Sequence, residues 1–161
     1  MTNIVWYEPR YAVLPFVTEF WNAISSFSYC VVGCLWYPRA KSKNVEKLCV
    51  SLVSVGVGSA VFHGTSSYAG ELWDESSMLL FSHYMLRSVA TPTTLLRLPL
   101  HSWMKTLTCS GMLWYIYSGS HPFFSVLFGV NILVPGVLMV FEDKAKKNVY
   151  TSAGLMVLAS L

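Results

Sequence analysis

Long apolar runs occupy most of this chain and limit what it can fold into. Segments rich in Gly, Pro and charge separate the runs, which lie at about 13–37, 48–65, 77–92, 103–118, 123–141 and 149–161. Most approach the roughly 20 residues that a helix needs to cross a bilayer core about 30 Å thick. Charged residues make up only 12% of the chain, about half of the share in a soluble domain. The sequence therefore predicts an all-α fold, a polytopic transmembrane helix bundle.

The apolar runs differ in length. The first five approach full spans, whereas the thirteen residues of 149–161 cover only about 20 Å of helix. We therefore expect five full spans plus a truncated sixth, in a single domain over 1–161 that is C-terminally incomplete. The third run is short unless its helix begins near Leu72 and includes Asp74 and Glu75.

Basic residues predict the orientation of these helices. Ten of the eleven Lys and Arg lie in or beside alternate connections, at 39–47, 87–105 and 144–147. The positive-inside rule places these connections in the cytoplasm and the N-terminus outside or in a lumen. The ends of the first three helices that carry Glu19, His63 and Asp74 then lie on one side, where we expect them to meet. The net charge of +3 is too small and too scattered to indicate a nucleic-acid partner.

Ionisable residues inside apolar segments are costly and are therefore functional candidates. Ser59 and His63 are four residues apart, so they share one helix face, and Asp74 opens the next helix. A histidine, a hydroxyl and a carboxylate suit metal-assisted hydrolysis, in which the carboxylate takes a proton and the hydroxyl stabilises an oxyanion. A lone intramembrane histidine can equally be a packing residue, and a catalytic zinc needs three protein ligands. The spacing alone leaves both interpretations open.

Four motifs, in this order, resemble the signature of the alkaline ceramidases. They are Trp6-Tyr7-Glu8-Pro9, Glu19-Phe20-Trp21-Asn22, Gly56-Val57-Gly58-Ser59 followed by Phe62-His63, and Leu72-Trp73-Asp74-Glu75 with Met78. Their order and gaps match the family through about residue 90. The resemblance implies a seven-helix membrane amidase of the endoplasmic reticulum or Golgi that hydrolyses ceramide to sphingosine and a fatty acid.

The resemblance also implies roles in a zinc site. His63 would be the first zinc ligand, Ser59 would hold the developing oxyanion, and Asp74 would orient or deprotonate the zinc-bound water. The family takes its other zinc ligands from a His-x-x-x-His pair on the seventh helix, which we expect beyond residue 161. His121 is the only other histidine in a connection on the expected side of the bundle.

A calcium site is the second metal site that the resemblance implies. It would use Trp6, Glu8 and Glu19 to tie the N-terminal segment to the bundle. The family has an acid where this chain has Val5 and an asparagine where it has Arg10. Because calcium prefers about six to eight oxygen ligands, we expect this site to be weakened. Arg10 would instead pair with Glu8 or Glu19.

Two functions remain after these observations. The first is a zinc-dependent hydrolase of linear amides that acts on a ceramide-like membrane lipid. The alternative is a non-catalytic, truncated ceramidase-like protein that binds lipid or acts as a scaffold. A receptor or transporter is disfavoured, because the fourth and fifth apolar runs are nearly free of charge.

Thermal unfolding tests the weakened calcium site. The Tm of the purified protein is expected to be the same in added calcium and in a calcium chelator, because two of the family's ligand positions carry no oxygen suited to calcium. An increase in Tm with calcium that magnesium does not reproduce would contradict this prediction.

Overall fold

The computed structural model describes residues 8–89 and 100–141. Its five helices are α1 (Phe20–Trp36), α2 (Lys43–Thr65), α3 (Tyr68–Val89), α4 (Leu100–Ser118) and α5 (His121–Phe141). No described residue lies in a strand, so the all-α prediction is confirmed. The chain separates into two compact units, Met1–Tyr84 and Met85–Leu161, and the single domain stays a prediction.

Helix α2 is long and apolar enough to cross a membrane, with 23 residues. Among the described helices it alone meets both conditions, so the five spans stay a prediction. The sixth apolar run lies outside the described residues. Several helices begin before their apolar runs. Helix α3 begins at Tyr68 and therefore includes Asp74 and Glu75, as in the longer form of the third helix considered above.

Small residues allow α1 and α2 to pack closely. A Cβ atom added to Gly56 would lie 2.6 Å from Cys30 Sγ and 2.9 Å from the Ser26 carbonyl oxygen. One added to Gly33 would lie 2.8 Å from the Cys49 carbonyl oxygen. Large apolar side chains of α1 are instead exposed, namely Trp21, Ile24, Phe27, Val31 and Leu35. Small residues at the contact and large apolar residues outside are typical of helices that pack within lipid.

A two-residue turn reverses the chain between α2 and α3. Ser66 ends α2 in the left-handed conformation, with φ of +46°. The Ser67 hydroxyl then accepts the Gly70 N–H at 3.1 Å and caps the first turn of α3. Helix α3 runs back along α2 so closely that a Cβ atom on Gly58 would lie 3.0 Å from the Asp74 Cα atom.

Hydroxyl contacts fix α3 further along α2. Ser54 Oγ lies 2.8 Å from Ser77 Oγ and accepts the Trp73 indole N–H at 3.2 Å. Interhelical hydrogen bonds of this kind contribute about 0.6 kcal/mol on average, and at most about 1.7 kcal/mol, in membrane proteins. They set the register of α3 on α2, and therefore the height of Asp74 along α2.

Helices α4 and α5 make up most of the described part of the second unit. Gly119 forms the turn between them with φ of +63°, a conformation that favours glycine. The buried Asn131 side chain accepts the Thr108 hydroxyl at 2.7 Å and donates to the Leu127 carbonyl at 2.8 Å. Large apolar side chains are again exposed, namely Leu113, Trp114, Tyr117, Val126 and Leu133. This pair therefore shows the same arrangement of polar contact and apolar exterior as α1 and α2.

The approach of α3 to α2 is testable at two glycines of α2. Gly58→Ala is expected to lower the free energy of unfolding by about 1–3 kcal/mol, because the added methyl group meets α3 backbone atoms. Gly64→Ala is the matched control, since its Cβ would meet no described atom within 4 Å. It is expected to be neutral or slightly stabilising, because alanine is the better helix former. Equal changes in Tm for the two variants would contradict the close α2–α3 contact.

Candidate active site

Glu8, in the segment before α1, makes the first contact of the site. Its two carboxylate oxygens accept the Trp21 N–H at 2.8 Å and the Asn22 N–H at 2.9 Å. These N–H groups are the ones that an N-cap side chain usually accepts, and a carboxylate there also faces the positive end of the helix dipole. Glu8 therefore caps α1 although it lies 13 residues before Trp21 in the sequence.

Glu19 occupies the N-cap position of α1, but its side chain does not cap that helix. Its Oε2 atom lies 2.6 Å from His63 Nδ1 and accepts the Asn22 amide N–H at 3.2 Å. Two backbone hydrogen bonds join the same elements, from Glu19 N–H to the His63 carbonyl and from Thr18 N–H to the Gly64 carbonyl, at 2.9 and 3.0 Å. The predicted meeting of Glu19 and His63 is confirmed.

Ser59, one turn before His63, links α2 to both of its neighbours. Its hydroxyl oxygen lies 3.0 Å from that of Ser26 in α1, and its hydroxyl interacts with the carboxyl group of Asp74 in α3. Ser26 Oγ also lies 2.7 Å from the Asn22 carbonyl oxygen. The five side chains that meet here form what we name the buried polar cluster: Glu19, Ser26, Ser59, His63 and Asp74.

Two carboxylate oxygens of this cluster make no hydrogen bond to any described residue. They are Glu19 Oε1 and Asp74 Oδ1, and both are buried. A buried carboxylate oxygen without a partner is costly, so it marks a position where another polar group can bind. The cluster can therefore accept further ligands at two of its five side chains.

The structure brings together the three residues that the motifs predicted as zinc-site residues. Ser59 and His63 lie on one face of α2, and α3 places Asp74 against that helix. His121 begins α5 in the other unit, and Trp6 lies outside the described residues. The roles of these residues stay predictions.

Ser26 is a member of the cluster that the sequence analysis missed. The signal that could have revealed it is helical spacing, since Glu19, Asn22 and Ser26 lie on one face of α1. Glu19 and Ser26 contact α2, through His63 and Ser59. A serine in an apolar run is by itself an ordinary helix residue, so only its partner across the helix contact distinguishes it.

The donor set suits a zinc ion in part. Metal-ligating histidines usually donate their other ring N–H to a carboxylate or carbonyl, as Glu19 allows at Nδ1. With the proton on Nδ1, the lone pair of the ring is on Nε2. Asp74 Oδ1 adds a buried acceptor near Ser59. His63 and Asp74 therefore fit one ligand and one neighbouring base of such a site.

The same hydrogen bonds engage three of the four carboxylate oxygens of Glu8 and Glu19, and Glu19 Oε1 is left for another ligand. Both oxygens of Glu8 accept N–H groups of α1, and Glu19 Oε2 faces His63. The side chains of Val5 and Arg10 contain no oxygen, and calcium prefers about six to eight oxygen ligands. The weakened site on Trp6, Glu8 and Glu19 stays a prediction.

Comparison with known proteins agrees with the four sequence motifs. A model of the ceramidase family matches residues 2–160, nearly the whole chain. This chain belongs to the ceramidase family. The predicted membership is therefore confirmed, and the match extends beyond residue 90, where the recognised motifs end.

Individual ceramidases match a smaller part of the chain. Alkaline ceramidase 3 of Mus musculus is 32% identical over 82 residues, 48% of this chain and 31% of its own length. Alkaline ceramidase 1 of Homo sapiens is 27% identical over 84 residues, 48% of this chain and 32% of its own length. A Dictyostelium discoideum protein, whose name provisionally assigns it to the alkaline ceramidases, is 30% identical over 109 residues, 55% of this chain and 38% of its own length. The match thus spans about a third of each relative.

Replacement of Ser26 tests whether the cluster is joined across α1 and α2. Ser26→Ala is expected to cost about 1–3 kcal/mol of unfolding free energy, because it removes a buried partner of the Ser59 hydroxyl. Ser25→Ala is the matched control, since Ser25 also donates to the Asn22 carbonyl, at 3.1 Å, but is exposed. Its effect is expected within about 0.5 kcal/mol. Equal losses, measured by denaturant unfolding in detergent, would contradict the Ser26–Ser59 contact.

Proposed function

We propose that this ceramidase-family chain forms part of a membrane hydrolase that cleaves the amide bond of ceramide to sphingosine and a fatty acid. The observation that supports this most is the 2.6 Å contact between Glu19 Oε2 and His63 Nδ1, in a cluster that also holds Ser59 and Asp74. The match covers about a third of the alkaline ceramidases compared, so the activity is proposed for the whole protein.

His63 is the proposed zinc ligand of this chain. When bound, zinc supplies Lewis-acid polarisation of the amide carbonyl. The resemblance to alkaline ceramidases supports further ligands from a His-x-x-x-His pair outside these 161 residues. Glu19 supports the assignment of His63, because a carboxylate on Nδ1 is the usual partner of a metal-ligating imidazole.

Asp74 is the proposed general base. Its carboxyl group takes a proton from the attacking water and later gives one to the amine of the leaving sphingosine, so the carbon–nitrogen bond breaks without a free amide anion. Its buried Oδ1 atom has no described partner and is the atom proposed to accept that proton. The low exposure of Asp74, at 9%, strengthens its electrostatic interaction with the developing charge.

Ser59 is proposed to stabilise the carbonyl oxygen as it becomes negative. A hydroxyl that donates to the oxygen as negative charge develops on it stabilises the transition state. The Ser26 hydroxyl lies 3.0 Å from Ser59 Oγ, and a hydroxyl that accepts a hydrogen bond is itself a better donor. Ser26 would therefore support this role from α1.

An apolar groove beside the cluster is proposed to hold part of the lipid hydrocarbon. It has a volume of about 330 Å³ and lies between α1 and α2. Phe20, Ile24 and Phe27 line one wall, and Val57 and Val61 line the other. Such a lining favours a hydrocarbon chain over a polar ligand.

The proposed setting is a multi-pass membrane protein of the endoplasmic reticulum or Golgi with a non-cytoplasmic N-terminus. The apolar exposed faces of α1 and α4, the length of α2 and the alternation of basic connections support it. On this orientation the cluster is on the lumenal side, where Glu19 meets the C-terminal end of α2.

Ceramide hydrolysis by membranes from cells that express the whole protein, including the residues proposed to complete the zinc site, tests this function. In the presence of zinc, Ser59→Ala is expected to lower kcat about 10²–10³-fold, as loss of an oxyanion donor does. Asp74→Asn is expected to lower it about 10²–10⁴-fold, as loss of a general base does. Ser51→Ala is the matched control, because this buried serine of α2 donates to the Leu48 carbonyl of its own helix, at 2.8 Å.

Two outcomes would contradict the proposal. Binding of labelled ceramide without hydrolysis by the unsubstituted whole protein in the presence of zinc would favour the non-catalytic, lipid-binding alternative. A loss for Ser51→Ala as large as that for Ser59→Ala would attribute the effect to helix packing instead of chemistry.

A further inference from the structure

Glu19 does not take the capping role that its position before α1 suggests. Glu19 is the N-cap residue of α1, yet the carboxylate that accepts the N–H groups of that helix belongs to Glu8. We propose that Glu19 is a positioning residue for His63, which it holds through Nδ1 without a calcium ion, while Glu8 caps α1 in its place. The proposal rests on the function proposed above, in which His63 faces the metal.

The first support is that Glu19 contacts His63 through both side chain and backbone. The 2.6 Å separation of Oε2 and Nδ1 is within the range of strong, charge-assisted hydrogen bonds. The Glu19 N–H donates to the His63 carbonyl at 2.9 Å, so the backbones of the two residues are also joined. The Glu19 side chain is 1% exposed, and water competes little for this contact. Glu19 therefore holds His63 through a side-chain contact and a backbone hydrogen bond.

The second support is that the Glu19 carboxylate is itself held. Asn22 donates its side-chain amide N–H to the same Oε2 atom at 3.2 Å. The backbone N–H of Asn22 is accepted by Glu8 at 2.9 Å. Asn22 thus joins Glu8 to Glu19, and rotation of the Glu19 carboxylate away from His63 would break both of its hydrogen bonds.

The third support is chemical. An ionised carboxylate only accepts hydrogen bonds, so His63 must carry a proton on Nδ1 to bond to Glu19. A neutral imidazole protonated at Nδ1 presents its lone pair at Nε2, the form that binds a metal through Nε2. Glu19 therefore selects the tautomer as well as the orientation of the ring.

Calcium is not needed for either contact. Glu8 and Glu19, the two described acids of the implied calcium site, are held by N–H groups of α1 and by His63. Arg10 stands where the family has an asparagine and brings positive charge to this segment. Protein hydrogen bonds thus connect Glu8, through Asn22 and Glu19, to His63.

Nitrogen-15 NMR of the histidine side chains in the full, detergent-solubilised chain tests the proposal. A His63→Gln variant identifies the His63 signals, and the pH is kept high enough for neutral imidazoles. We expect unsubstituted protein to show His63 protonated at Nδ1, and Glu19→Ala to lose that signal in favour of Nε2 protonation. Glu19→Gln is expected to retain it, because the amide carbonyl can still accept the Nδ1–H. Glu46→Ala is the matched control, since Glu46 pairs with Lys43 in the first turn of α2, at the opposite end from His63.

The outcomes separate this inference from the proposed function. Protonation of His63 at Nε2 in the unsubstituted protein would overturn the inference, and this result does not depend on the folding of Glu19→Ala. An unchanged His63 tautomer in a folded Glu19→Ala protein would also overturn the inference. A change in the His63 chemical shifts when calcium is added to the chelator-treated protein would show that the Glu19 carboxylate binds calcium. The expected tautomer pattern in a protein that does not hydrolyse ceramide would leave the positioning role intact and reject the hydrolase proposal.

Discussion

The hydrogen bond between Glu19 and His63 is the interaction on which the rest of the first unit depends. It joins the start of α1 to the end of α2, where two backbone hydrogen bonds run beside it. Burial makes the contact strong, because water does not compete for either group. Burial also makes the contact necessary, because a carboxylate in an apolar bundle is costly unless it is paired.

Close helix packing is the second condition for the cluster. Gly56 lets α1 approach one side of α2, and Gly58 lets α3 approach another, each to within contact of backbone atoms. Ser59 follows directly and therefore meets a serine from one neighbour and a carboxylate from the other. A larger residue at Gly56 or Gly58 would push a neighbouring helix away from α2. The Ser59 hydroxyl would then be separated from its partners, although no residue of the cluster had been replaced.

The apolar runs of the sequence locate the helices better than they locate the helix ends. Hydropathy marks where a helix is apolar, so it missed the polar first turn of α2, where Ser42 accepts the Val45 N–H at 3.3 Å. It also placed His121 in a connection, although this residue begins α5. Caps and turns depend on single polar side chains, which a hydropathy average does not resolve. Ser26 was missed for a related reason, since its partner Ser59 is 33 residues away.

The sequence by itself determined the all-α class, the shared face of Ser59 and His63 and the small residues beside them. These properties follow from helical periodicity and side-chain size, which are local. Only the tertiary structure decided the partners of the two acids, Glu8 at the N-terminus of α1 and Glu19 at His63. A carboxylate accepts a hydrogen bond from whichever donor the fold brings within about 3 Å, and that distance depends on how separate helices pack.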